Sequence, residues 1–146
     1  MSEQPPIELR PATPDDAPRI ATLLSDEGYP AGPSDILARL ERFAPPDSRV
    51  LVAALDGEVL GFVALHVLPR FEHDDRIARI MALVVDPGVR ERGIGRLLVA
   101  GAERVARERG AVFAELTAGH HRPEARQLYE SLGYDPTVTT YLRKRL

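Results

Sequence analysis

The chain has 146 residues, enough for one domain with a sizeable core; 44% are apolar and the formal net charge is −3, which argues against general nucleic-acid binding. It contains no cysteine, which excludes disulfides, thiolate zinc sites and a cysteine nucleophile. No apolar run reaches the roughly 18 residues of a membrane span, and the start, MSEQPPIELRP, lacks the charged and apolar regions of a secretory signal, so a cytoplasmic protein without membrane or nucleic-acid partners is the expectation.

In chain order, Ile7 to Arg10 reads as a short strand. Thr13-Pro14-Asp15-Asp16 starts a helix, with a Thr cap, proline at the first position and acids in the first turn. Ile20, Leu23 and Leu24 form its apolar stripe and Gly28-Tyr29-Pro30 ends it. Ser34-Asp35 opens a second helix with Ile36, Leu37 and Leu40 on one face, closed by Pro45-Pro46. Val50 to Leu55 is a strand, Asp56-Gly57 a hairpin turn and Val59 to Leu68 the returning strand. Pro69 to Asp75 is a polar loop. Ile77 to Val85 is mostly apolar, the pattern of a central strand buried on both faces. Ile94 to Arg109 is a long amphipathic helix closed by Gly110, with Leu97, Leu98, Gly101, Ala102, Val105 and Ala106 on one side. Val112 to Thr117 is a strand, Pro123 to Leu132 a helix ended by Gly133, and Val138 to Arg143 a last strand. The order predicts one α/β domain over residues 1–146, built on a mixed sheet with about four helices.

The most informative stretch is 84–109. A run of β-formers ends at Asp86-Pro87, a loop carrying Arg90-x-x-Gly93-x-Gly95 follows, and the long helix starts almost inside it. Strand, tight loop and helix N-terminus together cradle an anionic phosphate, because backbone N–H groups and the positive end of the helix dipole point the same way. Arg90 to Arg109 holds six arginines against three glutamates, a local excess of three positive charges on an acidic chain. That contrast points to a specific small anion rather than a polyanion. Arg104, Arg107, Glu108 and Arg109 read as a solvated helix face with paired charges; Arg90, Arg92 and Arg96 stand beside the glycines. A dinucleotide fingerprint requires a third glycine where position 98 is Leu, and the Gly-Lys-Ser/Thr of a P-loop is absent.

Two segments together carry a resemblance. Ile80-Met81-Ala82-Leu83-Val84-Val85-Asp86-Pro87 followed by Arg90-Glu91-Arg92-Gly93-Ile94-Gly95-Arg96-Leu97-Leu98, and then Arg122-Pro123-Glu124-Ala125-Arg126-Gln127-Leu128-Tyr129-Glu130-Ser131-Leu132-Gly133-Tyr134, resemble the two signatures of the GNAT superfamily of acyl-CoA-dependent N-acetyltransferases. The element order fits over the whole chain. The resemblance implies a mixed sheet splayed around acetyl-CoA, which would lie between the strand Ile77–Val85 and the strand Val112–Thr117. Backbone N–H groups of Arg92, Gly93, Ile94, Gly95 and Arg96 would wrap the pyrophosphate, with Gly93 and Gly95 removing side chains where backbone approaches phosphate and Arg90, Arg92 and Arg96 adding charge. Backbone groups of Leu83, Val84 and Val85 would pair with the pantetheine arm as an extra strand would, one N–H polarising the thioester carbonyl. Relatives often carry asparagine near position 121; His121 donates the same kind of hydrogen bond, whereas His120 reads as an exposed loop residue.

The implied reaction is direct attack of an amine on the thioester, with no metal. Tyr129 stands where the family tyrosine protonates the leaving sulfur; the plain alternative is a core tyrosine beside Leu128 and Leu132. Many relatives carry a glutamate base where this chain has Arg79, and an arginine cannot accept a proton. Glu72, His73, His66 and Glu115 are the candidates for that role, each with an ordinary alternative: a solvated loop for Glu72 and His73, a satisfied strand histidine for His66. Arg79 itself either pairs with Asp74 or Asp75 or binds a carboxylate or phosphate of the acceptor. The expected function is acetyl transfer to a small-molecule amine. A protein or peptide acetyltransferase is a variant, and a non-catalytic acyl-CoA sensor or scaffold is the rival that Arg79 favours and Tyr129 opposes. A homodimer is an option by family habit alone.

Overall fold

The computed structural model describes residues 6–118 and 123–146 and, within them, every side chain but those of Arg90 and Glu91. Five strands form one sheet: β1 (Glu8–Pro11), β2 (Ser48–Leu55), β3 (Glu58–Pro69), β4 (Arg76–Val85) and β5 (Ala111–Glu115), side by side in that order. The first four are antiparallel neighbours and β5 runs parallel to β4. A parallel pair needs a crossover, and α3 (Ile94–Glu108) supplies it. The predicted hairpin is present, with Asp56 at φ +49° and Gly57 at φ +82°, the pair of positive φ values that matches strand twist.

Helices cover both faces. Leu98, Ala102 and Ala106 of α3 pack on Leu51, Leu65 and Ile80. Ile20 and Leu23 of α1 (Ala17–Asp26) and Ile36 of α2 (Pro33–Arg42) pack on Val52, Phe62 and Val84. A last helix, α4 (Pro123–Ser131), lies by the start of α3, where a Cβ on Gly95 would sit 3.0 Å from Leu128 Cδ2.

Two expectations need correction. The strand expected over Val138 to Arg143 does not form. Val138, Tyr141 and Leu142 are exposed at 76%, 56% and 85%. After Gly133, the Asp135 carboxylate accepts bonds from the Thr137 N–H at 2.8 Å and hydroxyl at 2.6 Å, a local turn of the kind that competes with sheet pairing. Alternating residues specify an extended chain with two faces, but not a partner for its edge. Nor is β4 buried on both faces throughout: Arg79, still paired with β5, and Met81, beyond the paired stretch, are both exposed. Along β3 and β4 the register runs Ala64↔Ala82 and then Leu65↔Ile80, so Met81 is an extra residue on β4. Such a bulge reverses the alternation. Ala78 and Ile80 face α3, Ala82 and Val84 face α1 and α2, and Leu83 and Val85 return to the α3 side.

The joint between β1 and α1 is electrostatic. Asp16, 6% exposed, accepts from Arg10 at 2.8 and 2.9 Å and from the Thr13 N–H at 2.7 Å. The Arg10 guanidinium, helped by that N–H and opposed by burial, holds the Asp16 carboxyl below the usual carboxylate range. A depressed folded-state pKa stabilises the fold above the unfolded value near ~3.9 and ceases to do so as pH falls through the folded value. Asp16→Asn is therefore expected to cost about 2–3 kcal/mol at pH 7. The gap from the parent should shrink as urea midpoints are measured at progressively lower pH below about 4; a constant gap would refute the ion pair as its source.

Candidate active site

β4 and β5 pair only from Arg76↔Ala111 to Arg79↔Glu115. β4 then continues for six residues, Ile80 to Val85, while β5 ends at Glu115. The sheet forks there, and about 20 Å of β4 edge, at ~3.3 Å per residue, faces the gap. That edge offers N–H and C=O groups to an extended ligand carrying amides.

At the wide end of the fork the chain turns into α3. The Asp86 carboxylate accepts from the Gly88 N–H at 2.8 Å and is ion-paired with Arg19 of α1, whose Nε also donates to the Val59 carbonyl at 2.9 Å. A 3₁₀ segment, Pro87–Arg92, leads to Gly93 at φ +76° and then to Ile94, where α3 begins. The left-handed turn is the reason for glycine at 93. It lets the helix start immediately, and the N–H groups of its first turn have no intrahelical acceptor.

The residues singled out from the sequence separate here into three groups. Leu83, Val85, Gly93, Gly95 and Arg96 line one cleft of about 410 Å³ together with Tyr129. Val84 and Ile94 are core residues, 4% and 0% exposed, and do not line the cleft. Arg92 is an exposed side chain of the loop, while His120, His121 and the Arg90 side chain lie outside the described residues. A Cβ on Gly95 would also sit 3.0 Å from Leu128 Cδ2 of α4, so the small residue eases the close approach of the helix that carries Tyr129. Arg96 donates to the Ser131 hydroxyl at 3.0 Å, tying the start of α3 to the end of α4.

The two tyrosines of the second motif divide their tasks. Tyr134 donates to Glu103 of α3 at 2.9 Å, and burial, then that carboxylate, raise its pKa far above the ordinary phenol value. It remains a protonated anchor. Tyr129, 9% exposed, meets the Tyr134 ring edge-on at 6.1 Å and lines the cleft.

The base candidates part company. Glu72 and His73 are exposed in the β3–β4 turn, beside an Arg70–Asp75 bridge of 2.6 and 2.5 Å, at the opposite end of β4 from the helix start. His66 shares a 2.6 Å hydrogen bond with Ser48 and stacks on Phe43 at 4.2 Å. Glu115 stands at the fork, its carboxylate 3.6 Å from the Arg79 guanidinium. Arg79 thus pairs with Glu115, not with Asp74 or Asp75, because parallel register sets it beside β5 while Asp75 is taken by Arg70. Arg109 also departs from the solvated face assigned to it, bonding Asp47 at 2.9 Å beside Arg76 at 2.7 Å. These two guanidinium groups hold the Asp47 carboxyl below its usual range.

Sequence reasoning missed Glu27 and Glu124, which also line the cleft. Glu27 follows the last residue of α1, where an acid opposes the helix dipole. That local misfit was the available signal. Among the described residues no group of three side chains is placed to hold a metal ion, and no helix is long and apolar enough to cross a membrane.

The chain is thus an α/β fold whose sheet forks, with a helix start at the mouth of the fork. The model of the acetyltransferase (GNAT) family matches residues 16–134, and the chain belongs to that family, whose members use acetyl-CoA as co-substrate. Aminoalkylphosphonate N-acetyltransferase of Salmonella typhimurium is 33% identical over 135 residues, 89% of this chain and 86% of that protein. An N-acetyltransferase of Bacillus subtilis is 36% identical over 67% of this chain and 64% of its own length. The structure of a transcriptional regulator from Bacillus halodurans superposes with a TM-score of 0.88 at 23% identity, covering 97% of this chain and all of that one, and so shares the fold. The chain is an acetyl-CoA-dependent N-acetyltransferase, which sets aside the rival sensor or scaffold.

Proposed function

We propose that the enzyme acetylates the primary amine of a small molecule by direct attack on acetyl-CoA, with Tyr129 protonating the departing sulfur. The carrying observation is that the cleft is shared: residues of the first motif, Leu83, Val85, Gly93, Gly95 and Arg96, and Tyr129 of the second line the same space. In this reading the backbone from Arg92 to Arg96 wraps the pyrophosphate, with charge from Arg90, Arg92 and Arg96. The edge at Leu83, Val84 and Val85 pairs with the pantetheine amides, and His121 adds a hydrogen bond to that arm. One N–H of the edge polarises the thioester carbonyl.

Two proton transfers set the chemistry. An alkyl ammonium with pKa near ~10.4 is free base in only about one molecule in a few thousand at pH 7, so the amine must lose a proton before it attacks. At the other end, phenol and thiol differ by ~1.5 pKa units, and Tyr129 protonates the thiolate at a cost of about 2 kcal/mol. The Salmonella relative, named for aminoalkylphosphonates, supports a small-molecule acceptor. Release of free thiol on mixing the protein with acetyl-CoA and a panel of small amines is the test. Turnover of peptides but of none of those amines would move the assignment to a peptide acetyltransferase.

A further inference from the structure

We propose that the acceptor is a small zwitterion, a primary amine bearing a carboxylate or phosphonate a few atoms away, with Arg79 holding the anion and Glu115 receiving the ammonium. This rests on the acetyl-transfer reading above. Arg79 and Glu115 are the last residues paired across β4 and β5 before the fork opens. A chain laid along the β4 edge from the helix start toward the fork ends beside them. Arg79 lies between Ala78 and Ile80, which face α3, so alternation turns it toward the α1–α2 side. His66, in register with Arg79, lies on that side too, stacked on Phe43 at the end of α2.

The pair is loosely made. Its nearest N–O distance is 3.6 Å and the side chains are 44% and 41% exposed, whereas Arg10 and Arg70 grip their carboxylates through two hydrogen bonds each. An exposed ion pair of this kind contributes little to stability, so the two charges separate around a ligand at low cost. A guanidinium also presents a planar fork suited to a carboxylate or phosphonate. Charge then selects the class. Arg79 repels a plain alkyl ammonium arriving at the fork, while a dipolar molecule laid head to tail against the Arg79–Glu115 pair satisfies both ends.

Glu115 also answers the missing acid on β4, supplying it from the adjacent strand. Its carboxylate takes one proton from the ammonium. The nitrogen lone pair forms the C–N bond as the C–S bond breaks toward sulfur; nitrogen gives its second proton to water and sulfur takes one from Tyr129. Exchange with water restores Glu115 and Tyr129, and one proton is released per turnover.

The test is thiol release with acetyl-CoA and 2-aminoethylphosphonate, β-alanine or propylamine, the last lacking the anion. The wild type is expected to favour the two zwitterions about tenfold or more in kcat/KM. Arg79→Gln should raise their KM about tenfold while lowering that of propylamine, and Arg79→Lys should restore part of the loss. Glu115→Gln should lower kcat about tenfold or more for all three amines, with acetyl-CoA affinity by calorimetry unchanged. Equal use of propylamine by the wild type, or equal effects of Arg79→Gln on both kinds of amine, overturns the zwitterion inference and leaves acetyl transfer standing. Failure of the wild type to acetylate any amine overturns the acetyl-transfer reading and the inference with it.

Discussion

Tyr129→Phe is expected to lower kcat by about 10²-fold or more, with the acetyl-CoA dissociation constant unchanged. The substitution removes one hydroxyl and keeps the ring that packs against Tyr134 at 6.1 Å, so the thermal midpoint should move by no more than about 2 °C. Without the phenol, the thiolate leaves unprotonated into a cleft that Tyr129 shares with Leu83, Ala125 and Leu128 and with the acids Glu27 and Glu124. Stopped-time thiol assays together with calorimetry separate the two quantities. Unaltered kcat would return Tyr129 to the role of a core residue. Tyr134→Phe provides the contrast: it breaks the 2.9 Å bond to Glu103, and its effect belongs in stability rather than in kcat.

Gly93→Val is expected to weaken acetyl-CoA binding about tenfold or more, equivalent to about 1.4 kcal/mol. At φ +76° a β-branched residue is a genuine outlier, and left-handed backbone costs about 1–2 kcal/mol for an L-residue. Nothing lies within 4 Å of a Cβ placed on Gly93, so the cost is conformational rather than a clash. Relief of the strain moves the first N–H groups of α3 away from the position where, in the proposed reading, they converge on a diphosphate. Binding of 3′-phosphoadenosine 5′-diphosphate tests the cradle apart from the thioester. If affinity is retained although the helix start has moved, the anion is held elsewhere.

The fold and the mouth of the site were largely legible in the residues, for local reasons. Asp56-Gly57 specifies a hairpin because two positive φ values suit that pair. Arg90-x-x-Gly93-x-Gly95 between a β run and a helical run specifies a helix start with converging N–H groups, and the motif around Tyr129 specifies a helix ended by Gly133. What escaped was set by contacts between elements distant in the chain. Met81 looks like any other apolar strand residue, and only pairing of β4 with β3 turns it into a bulge that redirects Leu83 and Val85. The tail over Val138 to Arg143 carries strand-like alternation yet takes no place in the sheet.

By itself the sequence determined the single mixed sheet, the order of its elements up to Gly133 and the glycine turn into the long helix, because capping, turn chemistry and periodicity act within a few residues along the backbone. The tertiary structure alone decided where the sheet forks, that Arg79 stands against Glu115, and that Glu27 reaches the cleft from α1. Each of these depends on pairing or packing between segments distant in the chain, which no short window of residues contains.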